Sequence, residues 1–477
     1  MGSGQVISSV PSDFQGKHVT VAGLGVSGIP AAKVLHARGA VVTVVNDGDD
    51  ARAREQAAEL EALGITVRLG DGATLPEGTE LVVTAPGWKP DKPLFVAARE
   101  AGLEIWGDVE LAWRLRGPDA APWLAVTGTN GKTTTVQMLA SILKAAGLRT
   151  AAVGNIGVSL LDAVLGEEQY DVLAVELSSY QLHWAPSLRA HSAAVLNLAP
   201  DHLDWHGSME AYARDKGRIY EGNRVACVYN VADKATEDLV READVEEGCR
   251  AIGFTLGTPG PSQLGVVDGI LVDRAFVENR QKNAQELAEV ADVNPPAPHN
   301  IANALAAAAL ARAFGVPAAA VRDGLRNFTP DAHRIAHVAD VDGVAYIDDS
   351  KATNTHAAEA SLAAYESIVW IAGGLAKGAT FDELVAKSAK RLRGVVLIGA
   401  DRALIREALA RHAPEVPVVD LDRTDTGAML AAVQEAQRLA VEGDTVLLAP
   451  ACASMDMFAN YNKRGDAFAE AVRELGS

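Results

Sequence analysis

Short apolar runs and amphipathic stretches alternate along nearly the whole of this chain. Residues 17–22 read as a strand, 29–38 as a helix with Ala and Leu on one face, and 40–45 as a second strand. The runs 81–84 and 103–106 continue the pattern, with Pro86-Gly87 as a breaker between them. Strands separated by helical stretches predict a small α/β domain with a mostly parallel sheet. The polar, proline-bearing segment 116–122 reads as a linker.

The alternation then begins again. Strand 124–127 feeds a glycine-rich loop and a helix from Lys132 to about residue 146, and strands follow at 172–176, 193–198, 224–229 and 251–255. An alanine-rich helix over 300–314 stops at Gly315, a favoured helix-ending residue. After a break at Phe328-Thr329-Pro330, strands at 344–347, 368–372, 394–398 and 445–448 predict a third unit. The expected fold class is therefore α/β in three domains. These are a Rossmann-like N-terminal domain (1–117), a central P-loop ATPase-like domain with a parallel sheet (118–329) and a C-terminal Rossmann-like domain (330–477).

Composition narrows the picture. At 477 residues the chain is too long for one ordinary core, and 48% hydrophobic with 5% aromatic residues predicts aliphatic cores. A net charge of -19 repels nucleic acid and anionic lipid, so neither is an expected partner. The three cysteines, Cys227, Cys249 and Cys452, have no metal-binding spacing and read as reduced thiols. No run of 18 apolar residues and no basic-then-apolar leader is present, so a cytoplasmic protein without membrane insertion is expected.

The sharpest chemical signal is Thr127-Gly128-Thr129-Asn130-Gly131-Lys132-Thr133-Thr134-Thr135, directly after a predicted strand. Glycines there let backbone N–H groups turn inward on an anion, and the helix N-terminus adds its field. Lys132 can reach the β/γ-phosphates of a nucleoside triphosphate, and a hydroxyl of Thr133 or Thr134 can sit on Mg²⁺. The first glycine of the full GxxxxGK[ST] pattern is replaced by Val126. The alternative is a flexible surface turn.

Glu176 closes the apolar run 172–176, at a strand tip where an α/β sheet places ligand groups, and a carboxylate there suits a hard divalent cation. Its bland reading is a solvated strand end. Asn197, Asp201, His202 and Asp204 crowd one turn, which fits either a metal site or a capped turn. Lys216, alone in a helix, reads as a surface residue. In the first domain, Gly23-Leu24-Gly25-Val26-Ser27-Gly28 is a complete GxGxxG after a strand, with Asp47 19 residues beyond Gly28. Spacing alone predicts a dinucleotide such as NAD, although the loop reads only a pyrophosphate.

Taken together, these motifs resemble the Mur ligase family. The resemblance runs through TGTNGKTTT at 127–135, Gly154-Asn155-Ile156-Gly157, ELSSYQL at 176–182, NLAPDHLDWHG at 197–207 and Lys216-Gly217-Arg218-Ile219-Tyr220. It continues through His299-Asn300, His333-Arg334, DSKATN at 349–354, PACASMDMF at 450–458 and Tyr461-Asn462-Lys463-Arg464-Gly465. Within the family these motifs look like the glutamate-adding branch.

The resemblance implies an ATP-dependent ligation of D-glutamate to UDP-N-acetylmuramoyl-L-alanine through an acyl phosphate, by a monomer. It implies an ATP site made by Gly128, Thr129, Asn130, Gly131, Lys132, Thr133, Thr134, Asn300, Arg334 and Asp349. Two Mg²⁺ ions would be held by Thr133, Thr134, Glu176, His202 and Lys216, the last as a carbamate, which turns a cation into an oxygen ligand. Lys132, His202, Lys216 and Arg334 carry the catalytic roles. The UDP-substrate maps to Gly25, Val26, Ser27, Asp47, Gly87, Asn155 and His202, and glutamate to Lys351, Thr353, Lys377, Ser454 and Tyr461. Leu375 replaces an Asp found after the paired glycines in the best-known form, which deprives Lys377 of a neighbouring carboxylate. A ligase for a different amino acid, a folylpolyglutamate synthase, a dehydrogenase and a non-catalytic ATP-binding regulator are the competing readings.

Overall fold

The computed structural model describes residues 14–475 except 424 and 426. Among the described residues three sheets form, in the order the apolar runs occur. The first contains β1 (His18–Ala22), β2 (Val41–Asn46), β3 (Thr66–Leu69), β4 (Leu81–Thr84) and β5 (Glu104–Gly107), in the spatial order β3-β2-β1-β4-β5. Every pairing in it is parallel, and strand order reverses between β1 and β4. The GxGxxG loop leaves the end of β1 at this switch point, where a doubly wound sheet opens a crevice.

The second sheet is built from β6 (Trp123–Thr127), β7 (Thr150–Gly154), β8 (Val172–Glu176), β9 (Ser192–Val195), β10 (Ala226–Asn230), β11 (Arg250–Phe254), β12 (Gln263–Val267), β13 (Ile270–Asp273) and β14 (Gln285–Glu289). Their order is β14-β13-β12-β11-β10-β9-β6-β8-β7, parallel from β7 to β12 and antiparallel through the last two strands. The antiparallel edge and the strand at 150–154 were not among the elements expected from the sequence. Thr150–Gly154 alternates small residues without a strong apolar run, and only pairing with β8 makes it a strand. The helix Pro298–Ala313 has eight consecutive buried residues, Ala304 to Ala311, which explains why it carries no polar face.

The third sheet, β15 (Ala336–Val341), β16 (Val344–Asp348), β17 (Ile368–Gly373), β18 (Leu392–Ile398), β19 (Val418–Asp420) and β20 (Thr445–Leu448), has the order β15-β16-β20-β17-β18-β19. Only the β15–β16 hairpin is antiparallel. The central strands β17, β18 and β20 are apolar on both faces. Ile368, Trp370, Val395, Leu397 and Leu447 enter one core, while Val369, Ile371, Val396, Ile398, Val446 and Leu448 enter another. Burial on both faces explains their continuous apolar runs.

The described residues fall into two compact units. One holds the first two sheets, and the other holds the described residues from 328 onward together with 293–301. In the first unit the loop after β1 is tied to the second sheet's residues, because Ser27 Oγ donates to Asp108 (2.9 Å), which also accepts from Gln181 (3.5 Å). Among the described residues no helix is long and apolar enough to cross a membrane.

Candidate active site

Parallel pairing builds the centre of the first unit. Register sets Val126 of β6 opposite Glu176 of β8, and Glu176 opposite Gly154 of β7. The phosphate loop therefore emerges between β9 and the carboxylate of Glu176, with Asn155 on the far side of that carboxylate. Asn155 donates its backbone N–H to the Glu176 carbonyl and its side-chain amide to Glu176 Oε1, both at 3.0 Å. Glu176 is buried, yet its Oε2 has no hydrogen-bond partner. A buried anionic oxygen without a donor is costly unless a cation completes it, so this position fits a hard divalent metal. The solvated-strand-end reading of Glu176 fails on its burial. Among the described residues no three His, Cys, Asp or Glu side chains converge into a ready-made cage. Mg²⁺ suits such a place because it takes few protein ligands and shares phosphate oxygens.

The loop itself is braced from β9. Asn197 accepts the Asn130 N–H at 2.9 Å and the Thr129 N–H on its carbonyl at 3.0 Å, and donates to the Asn130 carbonyl at 3.1 Å. Gly131 starts the helix Lys132–Ala145 at φ 82°, and a Cβ there would lie 2.4 Å from Asn303 Oδ1, so only glycine fits. Lys132 Nζ donates to the carbonyls of Gly128 (2.9 Å) and Thr129 (3.0 Å). Thr133 is half-buried and Thr134 buried.

Lys216 corrects its surface reading. It is 2% exposed, and its Nζ donates to the Gly128 carbonyl at 2.8 Å and to Thr127 Oγ1 at 3.4 Å. Burial holds its ammonium well below the usual lysine range, helped by the charge of Lys132 and opposed by Asp201 and Glu176. His202 takes a left-handed conformation at φ 53°. Burial lowers its imidazole below the ordinary value, against Asp201 and with Lys216 and Lys132. A neutral imidazole is the form that ligates a metal.

Several residues here had no role assigned from the sequence, although Ser179 and His206 lie within the motifs at 176–182 and 197–207. Asp215 Oδ2 is bonded to Nδ1 of both His183 and His206 at 2.9 Å, and His206 Nε2 lies 3.0 Å from Ser179 Oγ. Burial raises the Asp215 carboxyl, but these bonds and the charge of Arg218 bring it down to about 2. Ser179 is buried, so this Ser–His–Asp row braces the segment after Glu176 rather than presenting a nucleophile. Tyr212 reaches Thr129 Oγ1 at 2.9 Å. These partners are 9 to 83 residues apart, at separations that no motif spacing covers.

In the first sheet, a Cβ at Gly28 would meet the Gly23 carbonyl oxygen at 1.9 Å, so that glycine lets the helix approach the strand. Val26 is 88% exposed, Ser27 is held by Asp108, Asp47 pairs with Lys92, and the Gly87 carbonyl accepts from Trp205 Nε1 at 3.1 Å.

In the second unit, Asp349 is buried, accepting from Ser361 Oγ and from the Ile335 N–H (3.3 Å). Burial is the leading cause that pushes its carboxyl up to about 6. Arg334 lies 3.8 Å from Asp331, and Asn300 donates to the Pro295 carbonyl at 3.2 Å. Lys351 Nζ sits 3.9 Å from the centre of the Tyr461 ring, bringing two of the expected glutamate residues together. Ser454 is buried and Lys377 exposed at φ 49°. Leu375 exchanges two 2.9 Å backbone bonds with Ala453, and Asp401 caps the Ala376 N–H at 2.7 Å. That turn thus has a carboxylate, supplied from elsewhere in the chain. Arg464, 1% exposed, donates to Ser350 Oγ, the Ser350 carbonyl and the Cys452 carbonyl.

Comparison with known proteins decides what this arrangement belongs to. Residues 126–311 match the family model of the Mur ligase middle domain, and residues 333–452 that of the Mur ligase glutamate ligase domain. The chain is 91% identical to the UDP-N-acetylmuramoylalanine–D-glutamate ligase of Streptomyces avermitilis, over 98% of this chain and all of that one. The chain belongs to the Mur ligase family.

Other relatives of the same name are more distant. The Thermobifida fusca protein is 60% identical, over 97% of this chain and 99% of its own, and the Mycolicibacterium smegmatis protein is 48% identical, over 96% and 97%. Solved Mur ligase structures share the fold. The UDP-N-acetylmuramate-alanine ligase MurC of Thermotoga maritima covers 96% of this chain and 99% of its own at TM-score 0.54 and 19% identity. MurF of the same organism covers 98% and 97% at TM-score 0.55 and 15% identity.

Proposed function

We propose that this chain joins D-glutamate to UDP-N-acetylmuramoyl-L-alanine at the expense of ATP, a step in making peptidoglycan precursors, and that it does so as a cytoplasmic monomer. The 91% identity to a relative of that name, over that relative's whole length, carries the choice of substrates. The chemistry rests on the phosphate loop beside the unpartnered oxygen of Glu176.

The alanyl carboxylate attacks the γ-phosphorus of ATP, ADP leaves, and an acyl phosphate forms. The glutamate amine then attacks the acyl carbon, loses a proton and expels phosphate. Carboxylate is a poor acyl donor, so phosphorylation must come first. We assign Lys132 to the charge that builds on the transferring phosphoryl group, and the loop N–H groups of 128–131 to the β-phosphate. Asn300, Arg334 and Asp349 are the further ATP residues. Glu176, Thr133 or Thr134, His202 and a carbamylated Lys216 would hold two Mg²⁺. Bound Mg²⁺ would supply charge neutralisation on the phosphates. Burial holds the Lys216 ammonium well below the usual lysine range, favouring the neutral amine that adds CO₂, which supports the carbamate.

For the remaining substrates we assign Gly25, Val26, Ser27, Asp47, Gly87, Asn155 and His202 to the UDP-sugar. Lys351, Thr353, Lys377, Ser454 and Tyr461 go to glutamate. The corresponding domains are 1–117, 118–329 and 330–477.

The deciding assay is phosphate release from Mg-ATP by the purified enzyme. Release should require UDP-N-acetylmuramoyl-L-alanine and D-glutamate together, with L-glutamate inactive. Turnover with either substrate alone, or with another amino acid in preference, would overturn the reading.

A further inference from the structure

A cavity of about 670 Å³ lies in the second sheet's antiparallel extension, lined by Arg250, Arg280, Arg312, Phe276 and Val277 among others. It lies at the far end of the sheet from the phosphate loop. Arg250 is the first residue of β11, whereas the loop follows the last residue of β6, and the strands between are parallel. The helix that reaches Gly131 with Asn303 reaches the cavity with Arg312, nine residues on, or about 14 Å along its axis.

The charges around this cavity are unbalanced. Asp273, which pairs with Arg312, is fully committed. Its Oδ2 accepts from Arg312 Nε at 2.9 Å and its Oδ1 accepts the N–H groups of Ala275 (2.7 Å) and Phe276 (2.9 Å). Among the described residues neither Arg250 nor Arg280 has a carboxylate within ion-pairing distance. Arg250 Nη2 caps the Ala275 carbonyl at 2.5 Å, but its Nε is buried and has no partner. Burial and the charge of Arg280 both pull the Arg250 guanidinium below its usual range. Two bonds from Arg274 to the carbonyls of Arg280 and Gln281, at 3.3 and 3.2 Å, fix the backbone of the loop that carries Arg280.

Arginines kept together without counter-charge, one with a buried donor left open, form a receptor for an anion. Guanidinium donors match phosphate oxygens in pairs, the cavity volume is that of a small-molecule site, and Phe276 and Val277 offer an apolar wall. We propose that this cavity binds a small phosphate-bearing metabolite, at a site separate from the catalytic centre.

Pyrophosphate is the probe, titrated by calorimetry into the full-length enzyme without Mg²⁺. Because the phosphate loop also takes this anion, the comparison is among four proteins: wild type, Arg280→Gln, Arg250→Gln and Lys132→Ala. Arg280 is exposed, so its variant should fold and keep wild-type ligase turnover. One binding event should weaken at least tenfold in both arginine variants and persist in Lys132→Ala. Isotherms of Arg280→Gln superimposable on wild type, or disappearance of all pyrophosphate binding in Lys132→Ala, would overturn the site.

Discussion

Lys132 and Lys216 donate to the same oxygen, the carbonyl of Gly128, at 2.9 and 2.8 Å. Two ammonium groups on one acceptor repel, and the buried one is the one whose charge is least supported by water. Lys216 is therefore the partner driven towards the neutral amine, leaving Lys132 to carry positive charge across the loop.

That division predicts opposite behaviour on substitution. Lys216→Ala should be nearly inactive but partly restored by acetate, and ¹³C-bicarbonate should give a carbamate resonance in wild type that the variant lacks. Acidification should remove the resonance, because the amine must be unprotonated to hold CO₂. A variant with undiminished turnover and no such resonance in wild type would end the carbamate proposal.

Lys132→Ala should lose charge where the phosphoryl group transfers. Removal of one such donor costs about 10²- to 10³-fold in kcat. Affinity for the UDP-sugar, measured by equilibrium binding, should stay within about twofold, as expected if the first sheet carries that site. A kcat near wild type contradicts the role.

Glu176→Gln keeps size and can keep the Asn155 bond while removing the charge of the unpartnered oxygen. Half-maximal activity should then require about tenfold more Mg²⁺, as expected when an anionic ligand is lost. An unchanged Mg²⁺ titration would return Glu176 to a structural role.

Asp349 gives a pH signature. Its folded value of about 6 lies above the ordinary 3.8, so between them the folded chain keeps a proton that the unfolded chain has released. Stability from this group is present below about pH 4 and is lost as pH rises through 6, a swing of about 3 kcal/mol. Asp349→Asn removes the swing. The difference between variant and wild type in denaturant melts should widen by that amount from pH 4 to 7, and a flat difference refutes the assignment.

Arg464 is buried with three acceptors that only its guanidinium reaches. Arg464→Met should destabilise by about 3 kcal/mol through the orphaned Ser350 and Cys452 groups. Ser350 precedes Lys351 and Cys452 lies two residues before Ser454, so KM for glutamate should rise as well. Melts within 0.5 kcal/mol of wild type, about the spread of neutral surface changes, would show the network to be dispensable.

What the sequence determined by itself was local: where apolar periodicity starts and stops, and which short motifs make a turn that fits an anion. The strands Leu81–Thr84, Val172–Glu176 and Thr445–Leu448 end where their apolar runs end, because each is buried by its own composition. The phosphate loop and GxGxxG were legible for the same reason, since glycine conformation is a property of single positions. The tertiary structure decided everything that depends on register between distant strands. Glu176 became a buried acid lacking a donor only when β8 paired with β6 and β7. Lys216, indistinguishable from a solvent lysine along the chain, acquired its chemistry from a carbonyl 88 residues away. The Asp215 bracing, the Arg464 knot and the arginine cavity likewise join residues far apart in sequence. No periodicity encodes such contacts, because they form only after separate strands and helices have packed.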